Sequence, residues 1–145
     1  MTILLATMLV LHVLLGVIGT MSAYVVWREL LRSQPRPSWL KWYSLTTWVT
    51  WLGAWLAGGY YYVFYYGEQV KPVIKAGEYA WAHSVVTEWK EHVFLFLPFL
   101  AFATWFELRS SQLTHQRALV WSSGVMWLLS LCITAAGVLI SGAVQ

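Results

Sequence analysis

The chain has 145 residues, of which 59% are hydrophobic, 17% aromatic and only 10% charged. A soluble globular domain is usually about 25% charged, so this composition excludes a domain that faces water on all sides. The basic residues give a net charge of +3, but they lie beside apolar segments instead of forming one stripe, which argues for membrane topology and against a nucleic-acid partner.

The first predicted element is a long uncharged run at the start of the chain. A helix rises 1.5 Å per residue, so about 20 residues cross the roughly 30 Å hydrocarbon core of a bilayer. The run lacks the basic start and the small-residue cleavage site of a signal peptide, and we interpret it as a retained helix over about 3–27. A basic link, 28–41, follows, through which Pro35 and Pro37 prevent a continuous helix. A second uncharged run predicts a helix over about 43–66.

The second half of the chain contains two more apolar segments. Residues 68–79 combine acidic and basic side chains with Pro and Gly, and they predict a loop at the membrane interface. The third predicted helix covers about 81–108, with Pro98 as the expected position of a kink. A second basic link, 109–117, leads to the fourth predicted helix, over about 118–142.

Four predicted spans with short links indicate an all-α integral membrane protein. The expected fold is a single-domain four-helix bundle with up-down-up-down order. The two links with surplus Arg and Lys are 28–41 and 109–117, and the positive-inside rule places both in the cytoplasm. Both termini are then extracytoplasmic, and we expect the inner (plasma) membrane of a bacterium as the location.

Two histidines fall at the same predicted depth in the bilayer. His12 lies 16 residues before Arg28, and His92 lies 17 residues before Arg109. These separations place both imidazoles roughly 24–26 Å from the basic links, in the extracytoplasmic half of the membrane. Ionisable residues inside spans are rare and often functional. The two histidines are therefore the first candidates for a buried site.

Glycines accompany this layer of the predicted bundle. The same count along the second span reaches Gly58 and Gly59, where the missing side chains leave room for another group, and Gly16 lies one turn from His12. Two neutral imidazoles from neighbouring helices can supply both axial ligands of a haem. The pattern predicts one haem b held by His12 and His92, with electron transfer to or from a quinone or a periplasmic carrier.

Hydroxyl and carboxyl groups lie next to this predicted haem layer. Tyr61 and Tyr62 follow the glycine pair, and Glu88 lies one turn before His92. In the haem interpretation these side chains orient an imidazole or carry protons.

A second interpretation of the same region is a bare metal ion. Glu88, Glu91 and His92 lie close together on the third predicted helix, and with His12 they offer oxygen and nitrogen ligands for iron, copper or zinc. Such a site would serve metal binding or transport. A ferritin-like di-iron centre needs Glu-x-x-His, whereas Glu88 and His92 are four residues apart, and this departure weakens the di-iron version.

A third interpretation is a non-catalytic accessory subunit of a larger membrane complex, or a homo-oligomer. Exposed Trp and Phe would then contact lipid and partner helices. The sequence contains no phosphate-binding loop, nucleophile elbow, HExxH motif or dinucleotide fingerprint, which argues against a hydrolase or a kinase and leaves enzymatic activity open. The single cysteine, Cys132, excludes an internal disulfide.

Overall fold

The structure is a computed structural model that describes residues 2–77, 81–109 and 115–142, with the backbone alone at 82–84, 91, 141 and 142. Across these ranges the ordered elements are all helical and no strand occurs, which confirms the all-α prediction. The elements are α1 (Ile3–Leu30), α2 (Pro37–Tyr61), the π-helical segment π1 (Tyr62–Val70), α3 (Lys71–Ala76), the π-helical segment π2 (Ala82–Thr87), α4 (Glu88–Leu108) and α5 (Gln116–Gly142).

Among the residues that the structure describes, three helical stretches are long and apolar enough to cross a membrane. They are α1, the stretch from Val85 to Leu108 and the stretch from Gln116 to Ile140. Large apolar side chains cover their outer surfaces; on α1, for example, Val13 and Leu14 are more than half exposed. Such surfaces are compatible with lipid contact, so the fold indicates a membrane protein.

The helix bounds differ from the predicted ones mainly at the links. α1 continues to Leu30, and α2 already begins at Pro37, so the first link is reduced to 31–36. Proline is compatible with the first turn of a helix because an N–H there has no intrahelical acceptor. The predicted interfacial loop was wrong over 68–76, which belongs to π1 and α3. Residues 78–80 lie outside the described residues.

Helices α1 and α2 pack closely and run antiparallel. Leu30 of α1 shares a buried cluster with Leu40 near the start of α2, whereas Gly19 lies against Trp51, farther along α2. A Cβ at position 19 would collide with the Trp51 indole. The absent side chain therefore allows the backbones to approach, as small residues do in membrane helix pairs.

Stacked indoles mark two further helix contacts. Trp27 of α1 stacks on Trp127 of α5 with ring centroids 5.1 Å apart, and Trp48 of α2 stacks on Trp105 of α4 at 5.2 Å. Gly124 provides the space for Trp27, whose Nε1 would lie 2.8 Å from a Cβ at position 124. Helix α1 thus contacts α2 and α5, and α4 contacts α2.

Within the described parts of the chain, buried side chains form three clusters along the molecule. Because lipid is as apolar as these side chains, close packing stabilises the clusters more than removal from water does. One cluster lies at the basic links, and we call that end of the molecule the basic end. The opposite end, built from π1, α3 and π2, is called the tyrosine end. The central cluster contains Ala23, Trp51, Leu97, Ala101, Met126 and Ile133. The cluster of the basic end contains Val26, Leu30, Leu40, Leu108 and Leu119. The cluster of the tyrosine end contains Tyr66, Ile74 and Ile140.

A buried carboxylate fixes the first link. The Glu29 side chain is only 4% exposed and accepts hydrogen bonds from Arg36 Nη2 (2.6 Å), Nε (2.9 Å) and the backbone N–H (2.8 Å). The carboxylate also lies at the positive N-terminal end of α2. The hydrogen bond to Glu29 raises the pKa of the Arg36 guanidinium, which stays charged. The sequence analysis did not single out Glu29.

Candidate functional site

A cavity of about 600 Å³ lies at the tyrosine end of the molecule. Its volume falls within the roughly 300–1,000 Å³ of small-molecule sites. Residues of α1, α2, π1, π2, α4 and α5 line it. The wall is mainly apolar and aromatic, with a few polar groups, among them His12, Thr87 and Lys90. Its aromatic residues are Trp55, Tyr61, Tyr62, Tyr65, Tyr66 and Phe94.

The His12 imidazole is held by the backbone of α2. Its Nδ1 lies 2.8 Å from the carbonyl oxygen of Ala54. A carbonyl oxygen only accepts hydrogen bonds, so in the neutral ring Nδ1 carries the proton and Nε2 keeps its lone pair. Metal-ligating histidines commonly donate their second ring nitrogen to a backbone carbonyl in this way. The geometry makes Nε2 a potential ligand or acceptor.

The space for this imidazole comes from Gly58. A Cβ at position 58 would lie 2.7 Å from Cε1 and 3.1 Å from Cγ of His12, and closer still to Nδ1. Phe94 of α4 meets the same ring edge to face, with centroids 5.9 Å apart. At Gly59, which also lines the cavity, an added Cβ would meet no other group within 4 Å. The glycine pair therefore admits the imidazole at one position and leaves open space at the next.

His92 does not line this cavity. Its side chain is exposed, and its Nδ1 lies 2.6 Å from the carbonyl oxygen of Glu88 on its own helix. Phe94 takes the position that faces His12, and His92, two residues earlier, is rotated by about 200° around α4. The structure brings His12, Gly58 and Gly59 together at the cavity but not His92, and its pairing with His12 at one haem stays a prediction.

The other predicted site residues are placed as follows. Gly16 does not line the cavity, and an added Cβ there would have no neighbour within 4 Å. Glu88 is exposed, and the side chain of Glu91 lies outside the described residues. Among the residues that are described, no group of three or more His, Cys, Asp or Glu is placed to hold a metal ion. The metal interpretation also stays a prediction.

Lys90 and Phe94 are cavity residues that the sequence analysis did not select. Together with Thr87 they lie on one face of the third apolar segment, at successive spacings of three and four residues. The same spacing continues through buried positions towards the basic end. This alternation of three and four, typical of helix-packing seams, could have identified the inward face. The seam consists of Thr87, Lys90, Phe94, Leu97, Ala101, Thr104 and Leu108.

Both π-helical segments contribute to the cavity wall. The hydroxyls of Tyr66 in π1 and Thr87 in π2 lie 3.2 Å apart and form a buried hydrogen bond between the two segments. π-Helical turns are rare and often accompany functional sites because they change which side chains face inward. The tyrosine run of π1 is thus directly connected to the start of α4.

The cavity combines a nitrogen lone pair, an ammonium group, hydroxyls and aromatic walls. This combination can bind a flat, amphipathic molecule that has a metal or a polar edge for His12. Comparisons with protein-family models, curated proteins and solved structures find no match to this chain. The function is therefore argued from the cavity and the helices that form it.

Proposed function

We propose that this protein is a membrane haem protein in which His12 ligates one haem b in the cavity, with electron transfer near the extracytoplasmic face. The single observation that carries the proposal is the Nδ1 contact of His12 with Ala54, which leaves Nε2 for iron. Haem b supplies one-electron chemistry, and its potential depends on the axial ligand and on burial. Compared with the two-histidine prediction, the proposal keeps His12 and omits His92.

The shape and lining of the cavity support a flat cofactor. Gly59 opens one wall, and six residues with aromatic rings, from α2, π1 and α4, line the cavity. Flat, apolar walls around a single nitrogen ligand exclude water and shield the iron. Of the two predicted ligands, only His12 lines the cavity, and a haem held there would have one histidine ligand from this chain.

The proposal includes α2 as a fourth membrane span. The segment 42–67, formed by most of α2 and the start of π1, has no charged residue. Helix α2 packs antiparallel along α1, which is long and apolar enough to cross. Its threonines lower its hydropathy, but their hydroxyls donate to backbone carbonyls of the preceding turn: Thr46 to Trp42, Thr47 to Tyr43 and Thr50 to Thr46. Hydroxyls satisfied in this way cost less in hydrocarbon than free ones.

Four spans place both termini on one side of the membrane. The basic end, whose cations surround the ends of the long helices, would face the cytoplasm by the positive-inside rule. The tyrosine end and the His12 cavity then lie towards the extracytoplasmic face of a bacterial inner membrane, within reach of a quinone or a periplasmic carrier. The cations of the basic end are Arg28, Arg32, Arg36, Lys41, Arg109 and Arg117.

The test is an optical spectrum of the purified protein in lipid nanodiscs, before and after reduction, with metal analysis on the same sample. We expect a Soret band, and a further shift when carbon monoxide is added to the reduced protein, because one histidine leaves the sixth iron position open to a small ligand. His12→Ala should remove the Soret band. His92→Ala is the matched control and should retain it.

Other results would change the assignment. Loss of the band in His92→Ala as well as in His12→Ala, together with a spectrum unaffected by carbon monoxide, would restore the two-histidine site. Stoichiometric iron, copper or zinc without haem would favour the metal interpretation around Glu88, Glu91 and His92. A protein with neither haem nor metal would contradict the proposal and favour an accessory subunit.

A further inference from the structure

We infer that the outer surface between α1 and α5 at the basic end binds an anionic phospholipid, whose phosphate contacts Arg28 and Arg117. The acyl chains of this lipid lie along apolar side chains of the same two helices. The surface is at the opposite end of the molecule from the His12 cavity, so lipid binding there does not depend on the ligand of the cavity.

The ends of α1 and α5 lie against each other at this surface. Gln116 Nε2, in the first turn of α5, donates a 2.9 Å hydrogen bond to the carbonyl oxygen of Leu30, the last residue of α1. Arg117 directly follows Gln116, and Arg28 comes two residues before Leu30; both arginines are exposed. The hydrogen bond therefore brings two cationic residues from distant parts of the sequence to one place on the surface.

Both arginines lie on the faces through which α1 and α5 contact each other. Tyr24, one turn before Arg28 and on the same face, packs against α5, where its ring centroid is 5.1 Å from that of a tryptophan. Gly124, two turns after Arg117 and on its face, provides the space for the Trp27 indole of α1. An exposed arginine thus continues the contact face of each helix at the basic end.

An exposed apolar stripe begins next to each arginine and runs towards the middle of its helix. Its residues follow the arginine at spacings of three and four, which keep side chains on one helix face. An acyl chain can lie along such a stripe while its head group stays at the arginine, whereas a soluble anion makes no contact with it. The stripe of α1 consists of Tyr24, Met21 and Val17, and that of α5 consists of Trp121, Val125 and Leu128.

The basic end carries more positive charge than its carboxylates can neutralise. Its six cations are accompanied by two acidic residues, Glu29 and Glu107. The Glu29 carboxylate lies 2.6 Å from Arg36 and 3.6 Å from Arg32. Two carboxylates supply only two negative charges, so a positive surplus remains whichever group Glu107 contacts.

The phosphate of an anionic phospholipid matches this surplus. Guanidinium groups form paired, charge-assisted hydrogen bonds with phosphate oxygens, and basic surfaces between membrane helices bind anionic head groups. A zwitterionic lipid carries its own cation beside the phosphate, which the surplus positive charge repels. The surface therefore selects lipids by the net charge of the head group.

The experiment compares two phospholipids that have the same acyl chains. The whole chain in a neutral detergent is mixed with dioleoylphosphatidylglycerol or with dioleoylphosphatidylcholine, and native mass spectrometry measures the lipid-bound fraction. We expect tighter binding of phosphatidylglycerol. Arg28→Gln and Arg117→Gln should each weaken that binding about fivefold, the contribution of one cation at an anionic lipid surface, and together about 25-fold.

The matched control is a double variant with Lys41→Gln and Arg109→Gln. It removes two exposed cations of the basic end that do not belong to α1 or α5. The net charge falls by the same amount as in the test variant, so the control measures the general attraction between a basic protein and an anionic lipid. We expect it to keep most of the wild-type affinity for phosphatidylglycerol.

Three results would overturn the inference. A wild-type protein without preference for phosphatidylglycerol would favour an acidic partner protein at this surface. Equal losses in the test and control double variants would show general attraction without a site between α1 and α5. Displacement of the lipid by glycerol phosphate at the same concentration would show a site for a soluble anion. Circular dichroism checks that the variants fold, and the comparison of the two lipids on wild-type protein needs no variant.

Discussion

The orientation of His12 depends on the absence of a side chain at position 58. The imidazole occupies the volume where a Cβ of residue 58 would stand, and its Nδ1 reaches the Ala54 carbonyl one turn earlier in α2. A glycine in a helix costs about 0.5–1 kcal/mol of stability relative to alanine. At position 58 the protein is less stable by about this amount, but the His12 ring has the space that it needs.

Gly58→Ala should therefore disturb the site. The new methyl group must displace the His12 ring, and overpacking of this kind costs about 1–3 kcal/mol, more than the helix propensity gained, about 1 kcal/mol at most. We expect a lower thermal midpoint and weaker haem retention. The measurement is thermal unfolding in detergent together with the Soret absorbance.

Gly16→Ala is the matched control for this substitution. Gly16 lies one turn from His12, does not line the cavity and has open space for a Cβ, so the same change should leave haem retention intact and stabilise the helix by up to about 1 kcal/mol. Equal losses in both variants would show that the contact between Gly58 and His12 does not position the imidazole.

Sequence reasoning at this scale predicted the height of residues along the helices but not the direction in which their side chains face. Counting 1.5 Å per residue from the basic links gave His12, Gly58 and Gly59 a common layer, and these three do line one cavity. The same count selected His92 and passed over Lys90. The height of a residue depends on the rise of the helix per residue. The face on which its side chain lies depends on the rotation of about 100° per residue, and a count of depth does not include this rotation.

At the scale of helices, the contact between α1 and α2 is set by a second glycine. Gly19 lies beneath the Trp51 indole, and a Cβ there would also lie 2.9 Å from the Thr50 hydroxyl oxygen. Trp51 is fully buried in the central cluster, so its ring has no free volume into which it can move.

Gly19→Ala should separate α1 from α2 and destabilise the protein by about 1–3 kcal/mol. Gly16→Ala, on the same helix with nothing within 4 Å of an added Cβ, is the control and should be neutral or slightly stabilising. Thermal unfolding followed by circular dichroism measures both. A Gly19→Ala midpoint equal to that of Gly16→Ala would contradict the close approach of the two helices.

The short link between α1 and α2 depends on the Glu29 carboxylate, which pairs closely with Arg36 and more distantly with Arg32. Glu29→Gln removes the negative charge that Arg36 contacts through both its guanidinium and its backbone N–H. We expect a lower thermal midpoint and faster proteolysis within 31–36, because the amide keeps at most part of these hydrogen bonds. The exposed Glu68→Gln is the control, and an equal response in both variants would argue that the pair does not hold the link.

The π-helical segments show where prediction of helical elements fails. Pro72, Gly77 and the mixed charges predict a loop over 68–79, yet residues 68–76 continue the helix of the second apolar segment. Pro72 is tolerated because it lies in the first turn of α3. The contact between Tyr66 and Thr87 joins the two π-helical segments, and a contact between residues 21 positions apart is not encoded in any local pattern.

For the whole molecule, the number of spans decides on which side of the membrane each terminus lies. Three crossings would place the termini on opposite sides, and four place them on the same side. The all-α class and the membrane character follow from long uncharged runs, and both could be read from composition. Whether α2 can be a fourth span is harder to predict from hydropathy. Its threonine hydroxyls count as polar in a hydropathy average, although they are hydrogen-bonded to the backbone of α2 itself.

Reporter fusions test the four-span arrangement. We expect alkaline phosphatase fused after Gly142 to be active, as it is outside the cytoplasm, and green fluorescent protein inserted at Ser33 in the first link to fluoresce, as it does in the cytoplasm. The same fluorescent reporter fused after Gly142 should stay dark. Fluorescence at both positions would indicate three spans and would contradict the extracytoplasmic C-terminus.

Residues of all four long helices and both π-helical segments line the cavity. A ligand bound there would therefore contact segments that lie far apart in the chain. A ligand that binds only the folded state adds about 2.7 kcal/mol of stability at a concentration of one hundred times Kd. Amide hydrogen exchange in π1 and π2 should slow by about a hundredfold when the cavity is filled, whereas exchange near Leu40 and Leu119 at the basic end should change little. Local unfolding of the tyrosine end would then depend on whether its ligand is bound. The basic end would stay folded with or without the ligand.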